Sequence, residues 1–283
     1  MVRFIPSQLA PKLQPEFNPG DTCCSLNISP EERGDACRSL DPDSPLRQML
    51  HAGVTTVPVG LLLESLPGFA PTLYRHQTLA VHVITSSIRA LLAAGHLRAY
   101  QGDAVTQAFL APMQRSKIVM PCGAGKTRVA AGIAAVGMAA MGMQTWLYVV
   151  GNRGLADQTA ASMRSVLPSM LDLVADVAGV DANGFSSADI HCCSYGDART
   201  GPRTWDGLIV DECHQAAART RMAALLRLSV DGMRVGLTAT DGLRTDKSDW
   251  KVTGVLGPVV HRVARKQLED EGYLTPVKVV RGA

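Results

Sequence analysis

The chain has 283 residues, of which 46% are hydrophobic and 19% charged. That is long enough to bury a core and too apolar for global disorder, and it holds one large domain or two of roughly 100–200 residues. The net charge is +3, with the positive balance in residues 97–283, so a polyanion partner is permitted but not demanded.

Residues 1–50 carry seven of the sixteen prolines and turn-forming runs such as DPDSP, and they read as extended, irregular chain. The first residues lack the apolar run of a signal peptide. There are seven cysteines, an odd number, with no CxxC pair. Cys23–Cys24 and Cys192–Cys193 are vicinal. This excludes a secreted disulfide framework, and a reducing, cytoplasmic location is expected.

Residues 51–96 read as a small accessory α or α+β region, with a strand at 54–59 and a short helix from 60. Leu79, Val83, Ile84, Ile88, Leu91 and Leu92 recur at helical spacing, which predicts a helix over 78–94 capped by Gly95.

From residue 97 to 283 short apolar runs alternate with helical stretches. Runs at 118–120, 147–150, 190–193, 208–210 and 235–237 are continuous, as strands buried on both faces are. The pattern predicts an α/β domain with a doubly wound, mostly parallel sheet. Residues 129–150 hold 22 positions without a charge, the length of a membrane span. Their Ala, Gly and Met content, broken at Gly142 and Gln144, favours a buried helix over about 128–141 and then a strand. No membrane partner is expected.

The sharpest local signal is Met120-Pro-Cys-Gly-Ala-Gly-Lys-Thr127. Pro121, Cys122, Gly123, Ala124 and Gly125 form a loop between a strand and an Ala-rich helix. Glycines there let backbone N–H groups turn toward phosphate oxygens, and the helix N-terminus adds its dipole. Lys126 is expected at the β- and γ-phosphates and Thr127 on Mg²⁺. Met120 stands where the general P-loop pattern has Gly. Cys122 reads as a small tolerated residue, not a redox switch.

The second signal is Leu208-Ile-Val-Asp-Glu-Cys-His214, an apolar strand ending in two carboxylates. Open α/β sheets place ligands at that end of a strand. Asp211 is expected to hold Mg²⁺ and Glu212 to polarise the water that attacks the γ-phosphate. His191, Cys192, Cys193, Cys213 and His214 are soft ligands, but they lack the paired spacing of a zinc site.

These two motifs and three further segments resemble the first RecA-like domain of the superfamily II helicases. The loop resembles motif I of that superfamily, which tolerates a non-glycine first residue. Asp211-Glu-Cys-His214 resembles a DExH box. Gly236-Leu-Thr-Ala-Thr240 resembles motif III, although Asp241 stands where the family often has Pro. Leu97-Arg-Ala-Tyr-Gln-Gly-Asp-Ala-Val105 resembles the adenine-reading segment, its Gln101 lying 25 residues before Lys126. Gly151-Asn-Arg-Gly-Leu-Ala-Asp-Gln158 resembles motif Ia. The tail, Leu256-Gly-Pro-Val-Val-His-Arg-Val and then Leu268-Glu-Asp-Glu-Gly-Tyr-Leu-Thr-Pro276, resembles the restriction-subunit-like branch, which includes the phage branch-migration and XPB types. A second match to the adenine segment, around Gln77, lies 49 residues before Lys126 and is too distant for the family pattern.

The resemblance implies ATP and Mg²⁺ as cofactors. It places Arg98, Tyr100 and Gln101 on the adenine side. It makes His214, Thr238 and Thr240 the coupling residues and brings Arg153 and Gln158 to the nucleic-acid backbone. DNA is the expected partner, with RNA left open. Motifs IV to VI do not follow, so a second RecA-like domain in another polypeptide is expected to complete a helicase or translocase. The alternative is an ATP-gated nucleic-acid-binding module with little turnover.

Overall fold

A computed structural model describes residues 23–25, 44–52, 56–58, 80–111, 114–179, 189–199, 204–240 and 249–276. The short helix expected from residue 60, Gln77 and Asp241 all lie outside them. Strand β1 (Cys23–Ser25) pairs antiparallel with β2 (Thr56–Pro58), and helix α1 (Pro45–His51) falls between them in sequence. β2 falls within the strand expected at 54–59. β1 and α1 lie in the stretch read as irregular, and elements of three and seven residues leave little period to detect.

The main unit opens with α2 (Ala80–Ala93) and α3 (Ala99–Leu110). Then come β3 (Arg115–Val119), α4 (Lys126–Met141), β4 (Trp146–Val150), α5 (Arg153–Ala178), β5 (Ile190–Ser194) and β6 (Trp205–Val210). A 3-10 turn (Cys213–Ala217), α6 (Arg219–Leu226), β7 (Val230–Thr238), α7 (Asp249–Leu256), β8 (Val259–Arg262) and α8 (Arg265–Asp270) complete it. Six strands form one sheet in the order β5-β4-β6-β7-β3-β8, and each neighbouring pair is parallel. This is the α/β fold expected from the alternating runs.

The helix expected over 78–94 is α2, and Gly95 caps it at φ 73°. The charge-free run resolves into α4, a left-handed Gly142 and β4. Among the described residues, no helix is long and apolar enough to cross a membrane. α4 is apolar on every side because it is buried on every side, from Val129 through Ala139. α2, α3 and α5 pack around it. Trp146, wholly buried, donates from Nε1 to the Met143 carbonyl at 3.2 Å. Losing such a ring from a core costs about 3–5 kcal/mol. A second apolar cluster under the 3-10 turn, α6 and α7 covers the opposite face of the sheet.

Two strands start earlier than their apolar runs predict. β3 begins at Arg115, and Lys117 also lies inside it, both buried. α7 receives both: Arg115 Nη1 donates to the Val255 carbonyl at 3.2 Å, and Lys117 Nζ to Thr253 Oγ1 at 2.8 Å. β7 begins at Val230, and its Arg234 is fully buried.

His261 on edge strand β8 lies against α3. Burial holds its pKa below the usual histidine value, against the Asp103 charge and a hydrogen bond with the Tyr100 backbone, which push it up. A histidine depressed in the folded state gives stability that is complete above its unfolded pKa of about 6.5 and lost as pH falls through the folded value. The melting temperature is therefore expected to fall between pH 7 and pH 5.5. His261→Asn should flatten that part of the profile, and parallel profiles for the two proteins would refute the assignment.

Candidate functional site

β3 runs through Met120 into the loop and then into α4. The Met120 N–H donates to the Thr238 carbonyl at 2.9 Å, which ties the loop's start to the end of β7. Gly123 and Gly125 adopt φ 83° and 81°, left-handed values that a side chain resists. A Cβ on Gly125 would also strike Gln101 Nε2. The N–H groups opening α4 have no intrahelical partner and, with the helix dipole, favour an anion.

Ala124 is buried, and its carbonyl is taken from behind. Tyr100 Oη donates to it at 3.0 Å and Gln101 Nε2 at 2.9 Å. Gln101 Oε1 accepts the Arg98 N–H at 3.0 Å. Gln101 is only 2% exposed, and both ends of its amide bond to protein. The segment expected to read a base is thus also the brace of the phosphate loop. Arg98 Nη1 donates to Tyr100 Oη at 3.3 Å. Cys122 is exposed and Thr127 half-buried.

Lys126 Nζ forms an ion pair with Glu212 Oε1 at 2.9 Å. Glu212 Oε2 lies 3.4 Å from His214 Nδ1, and the same nitrogen lies 2.9 Å from Thr238 Oγ1. Thr238 Oγ1 gives its one proton to the Thr240 carbonyl at 2.7 Å and accepts the Thr240 N–H at 3.2 Å. With that proton committed, His214 Nδ1 must be the donor to Thr238, which assigns its tautomer. The side chains of Lys126, Glu212, His214 and Thr238 and the backbone of Thr240 thus lie along one path across three neighbouring strands.

Glu212 adopts φ 43°, ψ 48°, a strained conformation for a non-glycine residue. It follows Asp211, whose Oδ1 accepts the Glu212 N–H at 2.9 Å. Burial raises the Asp211 pKa above the usual carboxylate value, against that hydrogen bond and the Lys126 charge, which lower it. A cation beside Asp211 would favour its ionised form. Mg²⁺ needs only one or two carboxylates when phosphates supply the other oxygens, so Asp211 and Thr127 suit it. Among the described residues, no cluster of three or more His, Cys, Asp or Glu is placed to hold a metal by protein alone. Burial pushes the Cys192 thiol up to about 11 and Cys193 up to about 12, so neither offers a thiolate at neutral pH.

Arg153 and Gln158 stand exposed at the start of α5, outside the path. The α5 N-cap, Asn152, accepts the Leu155 N–H at 3.0 Å. Beside it a cavity of about 240 Å³ joins Asn152 and Leu155 to Asp211, Glu212, Gln215 and Arg221. Arg221 Nη1 donates to Gln215 Oε1 at 2.5 Å, and its guanidinium lies 5.2 Å from the Tyr195 ring centre. Sequence reasoning missed Gln215 and Arg221, which carry no motif. It also missed Tyr148, whose buried hydroxyl lies beside the Asp211 carboxylate. Burial, then the Asp211 charge, pushes the Tyr148 pKa well up.

A loop of this form after one parallel strand and an acid pair after another define an α/β domain of the P-loop class. The chain belongs to the family described as Type III restriction enzyme, res subunit, which matches residues 76–242. The resemblance to the first RecA-like domain of the superfamily II helicases is thereby borne out. Among solved structures the chain is similar to the UvsW helicase of bacteriophage T4, at 15% identity and TM-score 0.44 over 58% of this chain and 59% of that one. It is similar to a Sulfolobus solfataricus SWI2/SNF2 ATPase core in complex with dsDNA, at 15% identity and TM-score 0.45 over 56% and 35%. A nuclease-deletion mutant of the Type ISP restriction-modification enzyme LlaGI, in complex with a DNA substrate mimic, gives 19% identity and TM-score 0.45 over 62% and 20%. The chain therefore spans less than two thirds of each of these structures. No curated protein matches it.

Gly125 and Gly142 both have left-handed φ, but an added Cβ meets Gln101 only at Gly125 and open space at Gly142. Gly125→Ala is expected to cost about 1–3 kcal/mol, clearly more than Gly142→Ala, by urea denaturation. Equal losses would show that Gln101 does not brace the loop.

Proposed function

We propose that this chain carries the ATP-binding domain of a DNA helicase or translocase. The observation that carries this is the path from Lys126 through Glu212 and His214 to Thr238 and Thr240. It joins a phosphate-binding lysine to an acid, and the acid to the strand exit that motif III occupies in the family.

In this reading the α4 N-terminus and Lys126 hold the β- and γ-phosphates, and Arg98, Tyr100 and Gln101 line the base side. Thr127 and Asp211 would hold Mg²⁺, which when bound neutralises charge developing on the phosphate oxygens. Glu212 takes a proton from water as its oxygen bonds to the γ-phosphorus and ADP leaves. When a γ-phosphate draws Lys126 away, Glu212 exchanges its ion pair for the water. His214 then passes the change at Glu212 to Thr238 and Thr240. Arg153 and Gln158 meet the DNA backbone in the same reading, which rests on family membership and their exposure on α5. A second RecA-like domain, elsewhere in the full protein or in another polypeptide, supplies arginines opposite the γ-phosphate. Such an arginine is worth about 10³–10⁵ in rate, so this chain alone should turn over slowly.

Isothermal titration and ATPase assays test this. Lys126→Ala should abolish measurable ATP binding with the melting temperature little changed. Glu212→Gln should keep ATP affinity and lower turnover by about 10²–10⁴. Unchanged ATP binding by Lys126→Ala would refute the phosphate-loop assignment. Binding of ATP and DNA with no DNA-stimulated hydrolysis, even with the second domain added, would favour the ATP-gated binding module.

Thr238→Val removes the acceptor of His214. It should leave ATP affinity intact while weakening stimulation of the ATPase by DNA, measured with and without single-stranded DNA. Full stimulation in this variant would remove His214 and Thr238 from the coupling path.

A further inference from the structure

The turn after α8 reaches the phosphate loop from a part of the chain no nucleotide motif covers. Gly272 adopts φ 76° and reverses the chain. The Tyr273 and Leu274 N–H groups then both donate to the Leu268 carbonyl, at 2.8 and 3.0 Å. Arg265 Nη2 donates to the Thr275 carbonyl at 3.4 Å. Leu274 packs onto the main core and lies against Gly123, where an added Cβ would come within 3.1 Å of it. These contacts fix the turn that carries Tyr273, with Leu274 beside the first glycine of the loop.

Tyr273 itself is 39% exposed, the one aromatic ring among the exposed large apolar side chains of the described residues. The Arg98 guanidinium lies 4.6 Å from its ring centre, and the Tyr100 ring lies 5.4 Å away, tilted by 56°. Tyr100 and Gln101 are the residues that hold the Ala124 carbonyl. An open aromatic face, a cation stacked on the same ring and an amide-braced phosphate loop thus meet in one place. A turn that served only to anchor the chain would be satisfied by Leu274, which is already packed. A rigid, half-exposed ring is what a flat π-surface uses as a platform, and stacking works with any base.

We propose that Tyr273, with Arg98, forms the stacking platform for the base of the nucleotide held by the phosphate loop. This rests on the ATP-binding reading above. Tyr273 supplies base affinity by stacking, while Gln101 stays committed to the Ala124 carbonyl behind the loop. The C-terminal turn of this domain is then part of the nucleotide site, and a bound base ties α8 to α3.

The test compares ATP with inorganic triphosphate, which has phosphates and no base, by isothermal titration with Mg²⁺ present. Tyr273→Ala should weaken ATP about tenfold and leave triphosphate unchanged, while Tyr273→Phe should bind ATP as the parent does. ATP affinity unaffected by Tyr273→Ala would overturn the proposal and leave the ATP-binding reading standing. Equal weakening of ATP and triphosphate would also overturn it, because Tyr273 would then only prop the loop. Failure of the unaltered chain to bind either ligand would defeat the ATP-binding reading and this proposal together.

Discussion

The Ala124 carbonyl is the point on which the site turns. A peptide unit is planar, so its C=O and the next N–H point in opposite directions. Tyr100 and Gln101 draw the oxygen back toward α3, and this directs the Gly125 N–H toward the open side of the loop. The left-handed Gly125 then carries the chain into α4. Two side chains thus set the orientation of the backbone donors before any anion arrives. A loop ordered in advance loses less entropy on binding.

Strand order supplies the rest. β6, β7 and β3 are consecutive neighbours, and in a parallel sheet their C-terminal ends share one edge. Lys126 follows β3, Asp211 and Glu212 follow β6, and Thr238 ends β7 between them. Residues 86 and 112 positions from Lys126 in sequence therefore fall within hydrogen-bonding reach of one path. His214 bridges the middle strand because the 3-10 turn brings it back over the end of β7.

The loop, the acid pair and the Thr-Ala-Thr run were legible because each is contiguous and follows a run of apolar residues. The starts of β3 and β7 were not, because Arg115, Lys117 and Arg234 look like surface residues in sequence and are buried in the fold. Gln101 was legible as a residue of the site, but its hold on Ala124 was not, since spacing does not show which partners an amide takes. Gln215 and Arg221 line the cavity from positions outside the motifs, and the tail resemblance that contains Tyr273 carried no nucleotide role. Only folding brings Tyr273 next to Arg98, 175 positions away.

The unfavourable features of the molecule gather at the same edge. Glu212 is held at a left-handed φ, partial burial raises the Asp211 pKa, and the Tyr148 hydroxyl is buried beside that carboxylate. Strain of the first kind costs about 1–3 kcal/mol. The core sustains them: Tyr148 and Val149 in β4 and Leu208, Ile209 and Val210 in β6 are fully buried. Local rules that fail together at one place mark a site held for chemistry at the expense of stability. A divalent cation at Asp211 would offset the desolvation of its carboxylate, and a triphosphate would satisfy the donors that open α4. Each ligand would then relieve a cost that the free fold bears, and binding there would raise fold stability through the same few atoms.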